Sequence, residues 1–374
     1  LHLSIRRQRQ MCIRDRGDIV NETSAAARKH GLQFGIYLSP WDRNHAGYGT
    51  PGYLTYYRNQ LKELFTHYGP IVEMWFDGAN GGDGYYGGAN ERRSIDGRTY
   101  YDWPATLQLV RSLQPNVLFF SDAGPGVRWV GNERGVAGET NWNTISTDTI
   151  YAGKAGIEQL LNTGSIDGDK WVPAEVDVSI RPGWFWHESE NDKVKSPEQL
   201  FDIYLTSVGR GSTLLLNIPP DKRGLFHEKD VQSLYGFRKL LEQEFARNLA
   251  VNAKVTATNT RSSDAAFKPA NITDGNAASY WAVNDESVSG SYTIELDKRQ
   301  MVKYIVLQEY IQLGQRVKSF TAEVWKNNAW QTVAEGTTIG YKRILKINPV
   351  ETNKIRITIT DAKACPVISN TEIY

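Results

Sequence analysis

The stretch Ile71-Val72-Glu73-Met74-Trp75-Phe76-Asp77-Gly78-Ala79 decides the fold. It is an apolar run of strand length that ends in a carboxylate, and a glycine-rich tract, Gly78 to Asn90, follows at once. In a barrel of parallel strands, side chains at the C-terminal strand ends face the active site. Asp77 therefore falls where chemistry is done, although read alone it also fits a turn or helix-capping residue after a strand. Trp75 is expected to turn away from the site, on the rule that neighbouring strand residues face opposite ways.

Helices and strands alternate on both sides of this run. Asn21 to His30 is helix-like, with Gly31 as its C-cap. Gln33 to Leu38 reads as a strand that ends in Ser39-Pro40-Trp41-Asp42, and Tyr53 to His67 carries Leu54, Tyr57, Leu61, Leu64 and Phe65 at helical spacing. Further on come a helix at Thr106 to Leu113, strands at Val117 to Phe120 and near Val172 to Val178, a helix from Pro197 to Val208, the strand Thr213 to Asn217 and a long helix, Glu228 to Phe245. Such alternation means parallel strands with crossover helices. Near Asn248 the composition shifts to short Val-, Thr-, Ile- and Tyr-rich runs, among them Lys254 to Thr258, Ser291 to Leu296, Lys303 to Gln308, Phe320 to Trp325 and Lys354 to Thr360. These predict an antiparallel β-sandwich. The fold class is thus α/β plus all-β, with a TIM-like barrel domain at 17–247 and a sandwich at 248–374.

The chain has 374 residues, a net charge of +1 and two cysteines, Cys12 and Cys365. That length suits two domains. Near-neutral charge gives no reason to expect nucleic acid or an anionic membrane, and no apolar run is long enough to span a bilayer. Two cysteines cannot make a disulfide framework, and no zinc spacing exists. Residues 1–16 are basic and lack both an initiating methionine and the regions of a signal peptide. They are set aside as a non-native or disordered leader, a basic native tail being the alternative. The 11 tryptophans and 19 tyrosines suit sugar stacking or, equally, a large aromatic core. A second carboxylate, Glu133, closes Val127-Arg128-Trp129-Val130-Gly131-Asn132-Glu133. Two carboxylates ringed by aromatic side chains are the equipment of a glycosidase.

With these segments set out, the first domain resembles the family-29 glycoside hydrolases, the α-L-fucosidases. The matching segments are Phe34 to Arg43, Met74 to Ala79, Phe120-Ser121-Asp122-Ala123-Gly124-Pro125, Arg128 to Glu133, Pro173 to Trp184 and Leu214 to Pro220. The resemblance implies a retaining, exo-acting hydrolase of terminal fucose on oligosaccharides or glycoproteins, with no cofactor for its chemistry. Asp77 would be the nucleophile and Glu133 the acid/base, roughly 5–5.5 Å apart. Glu139 and Glu175 compete with Glu133 for the second role. Desolvation among Trp129 and other rings would favour the protonated form of Glu133. Tyr37, Trp41 and Trp184 would wall the sugar, Tyr37 being equally readable as core; His45 and His187 could touch hydroxyls, though lone histidines are more often structural. The Arg-Trp-Val-Gly-Asn-Glu segment resembles the subgroup that prefers α-1,3- or α-1,4-linked fucose.

The family's His-Phe-Gly strand and His-His-Asp-Gly-Phe segment, whose histidines hold fucose, do not occur here. The expectation is a barrel lacking its first two βα units, with six strands, poor fucose binding, marginal folding and little activity; a glycan-binding protein with an inactive barrel is the alternative function. The resemblance implies a secreted or periplasmic location. The second domain resembles the discoidin-like, coagulation-factor type C family through Phe267 to Asn276, Tyr280-Trp281-Ala282 and Pro366 to Ile373. In that resemblance Asp274 and Glu372 would hold a structural calcium ion; the competing reading makes Asp274 an ordinary turn residue. Glu309, Gln315, Arg316, Thr337, Gly340, Tyr341 and Arg343 recur in similar fucosidase tails, which makes the module at least in part a partner of the barrel.

Overall fold

The computed structural model describes residues 13–14, 17–77, 84–148 and 150–374. The leader expected at 1–16 and the first part of the glycine-rich tract lie outside them, apart from a backbone pairing of Ile13–Arg14 with Gly17–Asp18. Contacts gather the chain into two units: residues up to Arg128 with Thr147–Ile157, and Trp129–Ser146 with Glu158–Tyr374.

The barrel region runs α1 (Ile19–Lys29), β1 (Ile36–Tyr37), α2 (Pro51–His67), β2 (Glu73–Trp75), α3 (Trp103–Leu113), β3 (Leu118–Ser121), β4 (Val127–Trp129), α4 (Glu158–Thr163), β5 (Ala174–Ser179), α5 (Pro197–Thr206), β6 (Thr213–Asn217) and α6 (Glu228–Glu244). Among the described residues its sheet has six strands in the order β6-β5-β4-β3-β2-β1, so each strand lies beside its neighbour in the chain. That order, with parallel pairing, is the one a partial TIM barrel produces.

In the first unit, α2 turns Tyr53, Tyr57, Leu61 and Phe65 inward, every fourth residue, which is one face of a helix. They pack on Met74, Phe76 and Phe119 from the adjoining strands. Met74 and Phe76 alternate with Glu73, Trp75 and Asp77, which are less buried, so β2 sends its even residues to the helix layer and its odd residues to the opposite face. Trp75 is two residues from Asp77 and shares its face; the expectation that it turns away is corrected, because Phe76 is the residue that reverses. The expected alternation also fails between β3 and β4. Five residues, Asp122–Gly126, join these parallel strands with no helix, and Phe120 still lies opposite Val127.

In the second unit all six residues of β5 are buried, as expected of a strand covered on both faces. The capping box at Ser196, completed by Gln199, starts α5. The C-terminal domain holds β7 (Lys254–Ala257), β8 (Trp281–Ala282), β9 (Gly290–Glu309), β10 (Val317–Lys326), β11 (Ala329–Gly336), β12 (Arg343–Ala362) and β13 (Val367–Ile373). All are antiparallel, around a core that includes Trp281, Tyr292, Phe320, Ile355 and Ile357. The runs expected separately at Ser291–Leu296 and Lys303–Gln308 are one strand, β9, which crosses Asp297–Gln300 by a shift of register instead of a turn.

Candidate active site

The first unit builds one part of the site. Tyr37 in β1 pairs with Trp75 in β2, and Trp75 with Phe120 in β3. Their rings form a row, Tyr37 to Trp75 at 5.3 Å and Trp75 stacked on Phe120 at 3.9 Å with 7° between planes. Above this row, past the end of β2, the Tyr37 hydroxyl donates to Asp77 Oδ2 at 2.5 Å. Burial of the hydroxyl end, and then Asp77, hold the Tyr37 phenol well above its usual value, so it stays a donor. Tyr37 as a whole is 54% exposed, so it is not a core residue.

Helix α2 fixes the chain that follows β1. Tyr57 donates to Leu38 O and Tyr53 to Pro40 O, each at 2.9 Å. Trp41 comes next, 40% exposed, with the Arg43 guanidinium 5.5 Å from its ring. Asp42 accepts the amides of Asn44 and His45 and is a turn residue, while His45 packs on Tyr53 and Tyr56. At the end of β3, Asp122 accepts the Gly153 N–H at 2.7 Å. Burial, and to a lesser degree Asp77, raise its carboxyl above the usual range. The sequence segment Phe120 to Pro125 contains Asp122, but only the pairing of β2 with β3 singles it out.

The second unit builds the other part. Gly131 has φ +81°, and a Cβ there would lie 2.3 Å from Glu158 O, so only glycine can make this approach. The turn it begins presents Glu133. Asn132 steadies the turn by accepting the Arg134 N–H and donating to Val136 O. Glu133 Oε2 accepts the Trp184 indole N–H at 3.1 Å. Trp184 is set by two strand ends: Asn217 at the end of β6 donates to Trp184 O and to Ser179 Oγ, and Ser179 at the end of β5 donates to Gly183 O. The loop is anchored by Arg181, whose Nε lies 3.0 Å from Asp230 Oδ2 in α6, both side chains fully buried.

Glu133 is exposed, which corrects the expectation of a carboxyl desolvated among rings; the Trp129 indole instead donates to buried Asp177 at 2.7 Å. Of the competing carboxylates, Glu139 pairs with Arg210 at 3.2 Å and Glu175 is a buried β5 residue. His187 uses its backbone carbonyl to receive Arg181. The structure thus joins Tyr37 with Asp77, and Glu133 with Trp184.

In the C-terminal domain, Asp274 and Glu372 line one cavity of about 280 Å³ together with Gln308, Ser369 and Asn370. Asp274 accepts the Asn276 amide and the Ser279 hydroxyl, both at 2.8 Å; Glu372 accepts from Asn370 and Tyr374. Among the described residues no group of three or more His, Cys, Asp or Glu is placed to hold a metal ion, so any calcium ligand set here would need amide, hydroxyl or carbonyl oxygens as well.

Comparison with known proteins now bears on the site. The profile of the alpha-L-fucosidase family matches residues 8–244. This chain belongs to the α-L-fucosidase family of glycoside hydrolases. Residues 254–373 match the F5/8 type C domain. A protein of Oryza sativa subsp. japonica that provisionally bears the name alpha-L-fucosidase 1 is 43% identical over 356 residues, 94% of this chain and 66% of that one. Alpha-L-fucosidase 1 of Arabidopsis thaliana is 39% identical over 366 residues, 96% of this chain and 69% of its own length. A glycoside hydrolase 29 family member from an unknown rumen bacterium superposes with a TM-score of 0.82 at 42% identity, covering 96% of this chain and 60% of that one. A Ruminococcus gnavus family-29 fucosidase in complex with fucose gives 0.84 at 32% identity, covering 96% and 75%. This fucosidase-family chain therefore spans about two thirds of the length of the curated relatives it matches. Among its described residues no helix is long and apolar enough to cross a membrane.

Proposed function

We propose that this chain carries the catalytic pair of a retaining exo-α-L-fucosidase acting on terminal α-1,3- or α-1,4-linked fucose of oligosaccharides and glycoprotein glycans. The observation that carries the reading is the Asp77 carboxylate past the end of a parallel strand, held by the Tyr37 hydroxyl over a row of aromatic rings. Asp77 attacks the anomeric carbon as the glycosidic C–O bond breaks, and Glu133 gives its proton to the leaving oxygen. Water then attacks the anomeric carbon, Glu133 takes the water's proton, and Asp77 leaves as carboxylate. The Trp184 indole keeps Glu133 oriented, while Trp41 and the exposed side of Tyr37 stack on the sugar. Incubation with a fluorinated fucosyl donor followed by peptide mass spectrometry tests the assignment: a fucosyl adduct is expected on Asp77, and an adduct elsewhere refutes it.

The six-stranded sheet favours a second reading, in which the barrel is inactive and the protein binds glycans without cleaving them. Binding of fucosylated glycans with no adduct on any carboxylate would support it. A structural calcium ion at the Asp274–Glu372 cavity is proposed on the resemblance of the C-terminal domain.

A further inference from the structure

Neighbouring parallel strands bring two carboxyls to one rim. Trp75 in β2 lies opposite Phe120 in β3, and the ladder continues one step as the Phe76 N–H donates to Phe120 O at 2.9 Å. Two residues beyond the stacked rings, just past the two strand ends, come Asp77 and Asp122. Adjacent strands are about 4.8 Å apart, so the two carboxyls leave neighbouring strand ends. Tyr37 approaches Asp77 from β1, the other side of β2. Asp122 is tied by the Gly153 N–H to the segment Thr147–Ile157, which belongs to the same unit.

We propose that Asp122 is the partner carboxyl of Asp77, a positioning residue that takes up the proton two adjacent carboxyls share and so leaves the nucleophile ionised. This rests on the reading of Asp77 as nucleophile. Like charges at this separation are costly, and the more desolvated carboxyl is the one that protonates. Burial and Asp77 both push Asp122 upward, against the Gly153 amide, which pulls it down. The groups around it are Asp77 with the Tyr37 hydroxyl on the β2 side, and on the other side the Gly153 amide, beside which Lys154 lies over the Tyr151 ring.

The test is a carbon-13 carboxyl titration of the full chain labelled at aspartate, with Asp122→Asn identifying the resonance and circular dichroism checking the fold. In Asp77→Asn the Asp122 carboxyl should titrate lower by roughly half a pH unit or more, since a neighbouring negative charge has gone. An Asp122 titration that stays in place in Asp77→Asn overturns the proposal. In Asp122→Asn the acid limb of the kcat/KM profile on an aryl fucoside should stay in place, because Asp77 then protonates beside a neutral neighbour as before; a limb that moves to lower pH shows Asp122 still charged at that point and also overturns it. The fucosyl-adduct experiment separates this failure from that of the parent reading: coupling without an adduct on Asp77 ends the nucleophile assignment and with it the role given to Asp122, while an adduct without coupling ends the proposal alone.

Discussion

The bond from Tyr37 to Asp77 concentrates the chemistry of the first unit in one hydroxyl. A hydrogen bond to a charged acceptor contributes about 1.5–3 kcal/mol, so Tyr37→Phe should lower kcat on an aryl fucoside roughly 10- to 100-fold. Its melting temperature should stay near that of the parent, because Tyr37 is already about half exposed. Steady-state kinetics beside thermal melts read both, and an unchanged kcat would remove Tyr37 from the site. In the second unit, Trp184→Phe keeps an aromatic side chain but deletes the indole N–H that donates to exposed Glu133. It should reduce turnover more for substrates with poor leaving groups, which need the proton, than for nitrophenyl fucoside, which does not.

Elements place these side chains, and one buried pair holds the element end that matters. Arg181 and Asp230 are both fully buried at 3.0 Å, and they tie the loop after β5 to the first turn of α6. Breaking such a pair leaves an uncompensated charge and costs about 3–5 kcal/mol. Asp230→Ala should therefore lower stability by that order in a urea melt and release Trp184. A loss within ~0.5 kcal/mol would show the pair to be replaceable. In the C-terminal domain, the proposed calcium predicts that EDTA lowers the melting temperature and that added calcium restores it; an indifferent melt leaves Asp274 as a turn carboxylate.

Across the whole second unit, the C-terminal domain is bound into the barrel region by polar groups. Gln315 accepts the Asn143 N–H and donates to Asn141 O, each at 2.8 Å, and Arg343 donates to Glu139 O at 2.7 Å. Behind them, buried Glu309 accepts the amides of Arg316, Val317 and Gly340 at 2.6, 2.9 and 2.7 Å. Burial nonetheless pushes this carboxyl up from 4.5 to about 7. A folded value above the unfolded one means the native state holds the proton more tightly. The contribution is therefore full below 4.5 and is lost as pH rises to about 7, by an order of 3 kcal/mol. Urea melts from pH 4.5 to 8 should show this decline, and Glu309→Gln should flatten it while costing about 1–3 kcal/mol for the Gly340 amide left facing a donor.

How much of this was written in the sequence depends on the range of the interaction. Periodicity located α2, because the 3.6-residue repeat is a local consequence of backbone geometry. The order of strand and helix segments pointed to parallel pairing, and the resemblance to the fucosidases, with two of their segments missing, implied the partial barrel. The sequence also marked Asp77 as a strand-end carboxylate and Tyr37 as aromatic, but not that the hydroxyl of one reaches the carboxylate of the other across a strand pair. It misjudged the surroundings of Glu133, expected to be desolvated, since exposure is set by which loops close over a residue and not by its chain neighbours. It read Ser291–Leu296 and Lys303–Gln308 as separate runs, although they belong to one strand that pairs with β12 on both sides of a register shift. Local repeats and residue chemistry are properties of a chain at any point along it. The bond of Tyr37 to Asp77 and the grip of Gln315 on Asn141 and Asn143 come only from tertiary structure, because they join residues far apart in the chain that meet only when the sheets register.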